Sequence, residues 1–250
     1  MTVVGRLMRL CSGLVLLGLS VSAAATTLNV APVRVALAPG ETSATVQVHN
    51  SGDRIAIMQA RVFKWSQAQG TADQYDPTRS LVVTPAVFSI GPGQVQVLRV
   101  GVRTATDDNA VEQAYRLLLK EVPPTKLGEG SGLRVALQID MPIFVLPAPA
   151  PTVDAKWHAE RTGSNALQLT VENQGNAHLQ VTQLNLSAGG EALGLTDSAP
   201  SLMYILPGQS RTWSLTTQKP LPATGQTIDI AAETDRGSRQ EKITLGSSNG

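Results

Sequence analysis

Residues 133–145 read LRVALQIDMPIFV, and residues 146–151 continue LPAPAP. In the first segment Leu133, Val135, Leu137, Ile139 and Met141 alternate with Arg134, Ala136, Gln138 and Asp140. A period of two places the five apolar residues on one face of a β-strand. The second segment, with Pro147, Pro149 and Pro151, is a stiff, extended linker and the clearest domain boundary in the chain. The pair therefore predicts a β domain that ends in a strand, followed by a second domain.

Upstream, the same period recurs with turn signals at short intervals. Residues 114–122 (AYRLLLKEV) form a strongly apolar strand closed by Pro123-Pro124. Residues 94–102 form another, after the Gly91-Pro92-Gly93 turn. Residues 81–90 contain Pro85 and read as an edge or irregular strand, since proline cannot donate to a ladder. Residues 66–79 read as a polar loop, 55–65 and 44–50 as strands, and 28–37 as a first strand closed by Pro39-Gly40. About seven strands make an immunoglobulin-type sandwich. Downstream, strands are expected at 166–172, 179–186, 210–216, 227–232 and 242–245, punctuated by residues 173–176 and 206–208. The expected fold is all-β, two immunoglobulin-like sandwiches, the first over 26–147 and the second over 148–250.

Residues 1–25 read as a secretory signal. Arg6 and Arg9 supply a positive start, residues 10–21 an uncharged apolar run, and Ala23-Ala24-Ala25 a cleavable small-residue end. The run is short for a membrane span, which takes about 20 residues, and no later stretch is long and apolar enough, so no span is expected in the mature chain. The one cysteine, Cys11, lies within the signal, leaving no thiol chemistry and no disulfide. Without Arg6 and Arg9, 18 basic residues face 19 acidic ones. That balance offers no basic field for nucleic acid.

Constellations that carry catalysis are missing. His49, His158 and His178 stand apart, none with a second ligand at metal spacing, and read as surface or strand-end residues. No Gly-x-Ser-x-Gly elbow occurs, the glycines lie in turns, and Asp107-Asp108 reads as a solvated pair in a polar loop. The chain is not expected to be an enzyme, nor to carry a metal or a cofactor. Arg34 stands out. It sits in an apolar strand, where an unpaired buried charge would be costly, so it is either on an exposed face or awaits an anionic partner.

The order of segments resembles the PapD-type periplasmic pilus-chaperone family. The matching pieces are VRVAL (33–37), VQVHN (46–50), VVTPAVF (82–88), GPGQVQVLRV (91–100), AYRLLLKEVPP (114–124), VALQ (135–138) and PIFV (142–145). VENQGN (171–176), YILP (204–207) and TDRG (234–237) continue the series in the second domain. The resemblance implies a boomerang of two immunoglobulin-like domains that works in the periplasm without ATP. Such a protein binds pilin-like or spore-coat-U-like secreted subunits by donating a strand, and delivers them to an outer-membrane usher. An incomplete subunit exposes an apolar groove and unpaired backbone groups, and β-augmentation satisfies both.

By the resemblance, Leu133, Val135, Leu137, Ile139 and Met141 are the donated row. The residues alone allow equally that this row is the core-facing side of a sandwich strand. Arg34 matches the family arginine that anchors the subunit's terminal carboxylate, for which a guanidinium fork is suited. The partner lysine of the family falls at Pro142, and its interdomain arginine at Leu146, which leaves the matching ion pair with Asp235 without its cation. Arg116 and Lys120 are candidate substitute cations for the first loss. These departures resemble the archaic or spore-coat-U-associated branch. A free chaperone must also cover its own apolar strand, for which self-association is one means. The competing reading is a structural or adhesive immunoglobulin-like component of a surface assembly.

Overall fold

The computed structural model describes residues 27–68, 72–103, 110–122, 136–196 and 203–247. Among them there is no helix. The first sandwich contains β1 (Leu28–Ala31), β2 (Val35–Leu37), β3 (Ser43–Asn50), β4 (Ala56–Ala68), β5 (Ala72–Pro77), β6 (Leu81–Thr84), β7 (Val87–Ile90), β8 (Val95–Val102), β9 (Gln113–Glu121) and β10 (Gln138–Val145). The second contains β11 (Ala155–Arg161), β12 (Ala166–Asn173), β13 (Leu179–Ala188), β14 (Glu191–Ala192), β15 (Met203–Ile205), β16 (Gln209–Thr216), β17 (Thr227–Thr234) and β18 (Gly237–Ser247).

In the first sandwich one sheet has the order β1-β3-β8-β6, and the other β2-β10-β9-β4-β5 with β7 also on β4. Their inner faces meet in a core that includes Val35, Leu37, Val46, Val48, Met58, Leu98, Val100, Leu117, Leu119, Met141 and Ile143. These residues come from alternate positions of their strands, as a two-sided pleat requires. In the second, β13, β17 and β18 join β11, β12 and β16 through a short parallel pairing, Ala159–Arg161 against Leu245–Ser247. Trp157, Leu167, Leu169, Leu184, Trp213, Ile228 and Ile230 fill the space between.

The chain reaches the second sandwich along a clamped linker. Thr152 O accepts hydrogen bonds from the backbone N of Asn176 and of Ala177, and Thr152 N donates to Asn176 Oδ1 at 2.6 Å. Gly175 is needed there, because a Cβ at this position would collide with Thr152 O.

Several expectations are corrected. The segment 28–37 is two strands in different sheets: β1 pairs β3, whereas β2 pairs β10 in parallel. Residues 81–90 likewise divide, β6 pairing β8 and β7 pairing β4. Each break contains a proline, Pro32 or Pro85, which cannot donate to either ladder. The expected polar loop at 66–79 instead holds the end of β4 and all of β5, a hairpin with Trp65 opposite Tyr75. β5 is exposed along most of its length, so it carries no apolar alternation from which a strand could be read.

Candidate functional site

The site is built around β10. One edge of this strand is paired with β9 from Gln138 to Val145. Its other edge carries β2 only from Ile143 to Val145. Among the described residues no strand pairs that edge from Gln138 to Met141, because β1 has gone to the opposite sheet. Among the described residues, one row of backbone donors and acceptors along this stretch has no strand partner.

The apolar row of β10 is graded along its length. Met141 is 2% exposed and sits in the first core, while Ile139 is half-buried against it. Leu137 is half-buried at the start of the ladder, its N donating to Glu121 Oε2 at 3.1 Å and its O accepting from Glu121 N at 2.8 Å. Leu133 and Val135 lie outside the described residues.

Arg34 immediately precedes β2, one residue before the Val35–Ile143 pair, and so stands abreast of Pro142. Pro142 in turn faces Arg116 across the β10–β9 ladder. The two guanidinium side chains thus flank the proline in one row of the sheet. Arg34 is exposed, and its Nη1 lies 3.4 Å from Asp235 Oδ2 of the second sandwich. Arg116 is held more tightly. Its Cζ lies 3.7 Å from the centre of the Trp65 ring, and its nitrogens lie 3.5 Å from Asp140 Oδ1 and 4.0 Å from Asp73 Oδ2. A cation stacked on an indole and flanked by carboxylates is fixed in place. Lys120 is exposed at the far end of β9, opposite Gln138.

Between the sandwiches lies a third, small core of Trp65, Ala114, Phe144 and Leu206, with Leu146 and Tyr204 against it. Leu146 therefore packs as an apolar residue. The Tyr204 ring meets Trp65 edge-on at 5.4 Å, and burial raises its phenol pKa against the pull of Arg34 and Arg116. On one side of this core the hairpin β4–β5 reaches the second sandwich. Gln67 Nε2 donates to Tyr204 O at 2.7 Å, Gln67 Oε1 accepts from Leu206 N at 3.0 Å, and Gln67 N donates to Gln209 Oε1. Arg211 Nη2 donates to Asp73 Oδ1 at 2.9 Å.

On the other side is His178, which is 4% exposed and not the surface residue that its isolation in the sequence suggested. Its ring stacks on Phe144 with centroids 3.8 Å apart. Nδ1 lies 2.7 Å from Glu112 Oε1, and Nε2 lies 3.3 Å from Asp235 Oδ2. Burial works against charge on this ring, but the two carboxylates outweigh it and hold the pKa above the ordinary 6.5. Burial likewise opposes the Asp235 anion, but His178 and the Gln180 amide prevail and keep its pKa below 3.8. Sequence reasoning missed Glu112, His178, Gln67 and Asp73. Each is polar and pairs across more than sixty residues of chain, except for the Gln67–Asp73 contact, so no local spacing marks it.

A family model described as the pili and flagellar-assembly chaperone, PapD N-terminal domain, matches residues 27–151, half of the chain. The chain belongs to this chaperone family. It is similar to the chaperone protein FaeE of Escherichia coli, with 35% identity over 72 residues, which span 29% of this chain and 27% of FaeE. The chain thus matches about a quarter of that relative's length. Its fold is that of a chain in the CsuC–CsuE chaperone–tip adhesion subunit pre-assembly complex from the archaic chaperone-usher Csu pili of Acinetobacter baumannii. The likeness has a TM-score of 0.62 at 21% identity and covers 89% of this chain and 100% of the other. The E. coli chaperone DraB (TM-score 0.57, 22% identity, 88% and 97% covered) is similar too. So is a chain of the Salmonella enterica SafA pilin–SafB chaperone complex (0.59, 20%, 88% and 96%). At these identities the structures show the fold, two immunoglobulin-like β-sandwiches. The family is one of chaperones, not of enzymes.

Proposed function

We propose that this chaperone acts in the periplasm, after removal of residues 1–25, and captures pilin-like subunits of the archaic type for delivery to an outer-membrane usher. The observation that carries the reading is the edge of β10 that no strand among the described residues pairs, with Arg34 at its end. A subunit strand laid along Gln138–Met141 gains main-chain hydrogen bonds, and β2 stops it where Arg34 stands. A terminal carboxylate arriving there meets one exposed guanidinium, Arg34, with the fixed Arg116 beyond Pro142. Arg116 is the substitute for the lysine that Pro142 replaces.

Leu133, Val135 and Leu137 fill the subunit's groove in this reading. Ile139 and Met141 tie the same row into the chaperone's own core. The first domain then runs from residue 26 to 147 and contributes the strand, and 148–250 forms the second.

The test is co-purification of secreted subunits from periplasmic extracts with the full chain and with Arg34→Ala. The variant is expected to fold, by circular dichroism, and to lose the subunit. An unchanged yield of complex overturns the anchor.

A further inference from the structure

Both ring nitrogens of His178 face carboxylates, and an ionised carboxylate only accepts hydrogen bonds. A neutral imidazole has one N–H, enough for the hydrogen bond to Glu112; the doubly protonated ring adds a cationic Nε2–H toward Asp235 Oδ2, an ion-pair contact at 3.3 Å outside hydrogen-bond geometry. The two contacts are unequal. Glu112 has a fully buried side chain at 2.7 Å, and its Oε1 also accepts from His178 N at 3.2 Å. Asp235 Oδ2 is farther, at 3.3 Å, and partly open to solvent. When the ring gives up one proton, the remaining N–H stays on Glu112, and Nε2 turns a lone pair on Asp235 Oδ2.

That same oxygen is the one against Arg34 Nη1, at 3.4 Å, with Arg236 Nε at 4.0 Å. The other oxygen, Oδ1, is fixed by the Gln180 amide at 2.9 Å. We propose that His178 is a positioning residue for subunit capture: its charged ring fixes the Asp235 carboxylate on Arg34 as an internal cap, and loss of one proton unmasks the arginine. The remaining groups facing the ring are Phe144 and Tyr204, neither charged at neutral pH. The role in capture rests on the proposed use of Arg34; the cap itself does not.

The experiment needs no subunit. The full chain is treated with phenylglyoxal across a pH series, and modification of Arg34 is measured by mass spectrometry relative to Arg99, on the outer face of the other sheet. In the unmodified protein the Arg34/Arg99 ratio is expected to rise severalfold with pH, following the His178 ring titration observed by NMR. His178→Gln and Asp235→Asn should give a high, pH-independent ratio, and His178→Arg, which keeps a cation, a low one. A flat ratio in the unmodified protein, or a His178→Arg profile that still follows pH, overturns the cap. If the substitutions prevent folding, the unmodified protein's ratio against its ring titration decides alone. Failure here leaves subunit capture by Arg34 standing. Retention of subunit by Arg34→Ala would remove capture and leave the cap measurable.

Discussion

Asn50 and Asn173 are each fully buried and make the same set of contacts in the two sandwiches. Asn50 Nδ2 donates to Arg54 O and Ile90 O, while its Oδ1 accepts from Gly52 N. Asn173 Nδ2 donates to Ala177 O and Ile205 O, while its Oδ1 accepts from Gly175 N. Each ties the end of a strand to the turn ahead of the Pro-Gly pair, Pro92-Gly93 or Pro207-Gly208. An unpaired buried polar group costs on the order of 1–3 kcal/mol, and Asn50→Ala removes the side-chain partner of the buried Ile90 O and of two part-buried backbone groups, Arg54 O and Gly52 N. A loss of at least about 2 kcal/mol is therefore expected for Asn50→Ala, and a similar one for Asn173→Ala, by chemical denaturation. Serine, too short to reach both carbonyls, should rescue little. The turns at these places were legible as Gly-Pro-Gly and Asn-Gln-Gly-Asn. The burial of the asparagines was not, because asparagine beside glycine reads as a solvated turn.

At the scale of elements, the proposed function gives β10 two jobs, and substitutions along it should separate them. Met141 belongs to the core, so Met141→Ala is expected to cost about 2–5 kcal/mol and to lower the melting temperature. Leu137 is only half-buried at the mouth of the ladder. Leu137→Asp should therefore leave the melting temperature of the free protein nearly unchanged, yet release subunit to proteolysis in periplasmic extracts. A stable complex with Leu137→Asp would remove that side chain from the groove-filling row. Alternation in residues 133–145 was legible because a pleat imposes it whatever the strand's use. Which part is core and which is offered outward depends on where the opposite sheet ends, and that is set by elements such as β8, far away in sequence. The sheet change at Pro32, which takes β1 away from β10, was hidden for a related reason. A run such as LNVAPVRVAL satisfies the strand pattern on both sides of the proline.

For the molecule as a whole, stability should carry the signature of the joint. His178 has a pKa raised above 6.5, so its contribution is fully present below that value and is lost as pH rises through the folded pKa. Asp235 has a pKa lowered below 3.8, so its contribution is present above that value and is lost as pH falls through the folded pKa. Melting temperature is expected to peak between the two and to decline on the alkaline side, a decline that His178→Gln should lack. Phe144 offers the sharper test of how the sandwiches depend on each other. It is fully buried, it stacks on His178, and it packs against Trp65 and Tyr204, so it sits at the centre of the aromatic core of the joint. The contacts of the joint link residues as far apart as Arg34 and Asp235, 201 positions along the chain, which is why no window of sequence disclosed them. Truncating it removes an aromatic side chain from a core too small to close over the gap. Phe144→Ala is expected to cost about 3–5 kcal/mol and to split a single calorimetric transition into two, one for each sandwich. A single transition shifted as a whole would mean that Gln67, Asp73 and Arg211 couple the sandwiches without the aromatic core.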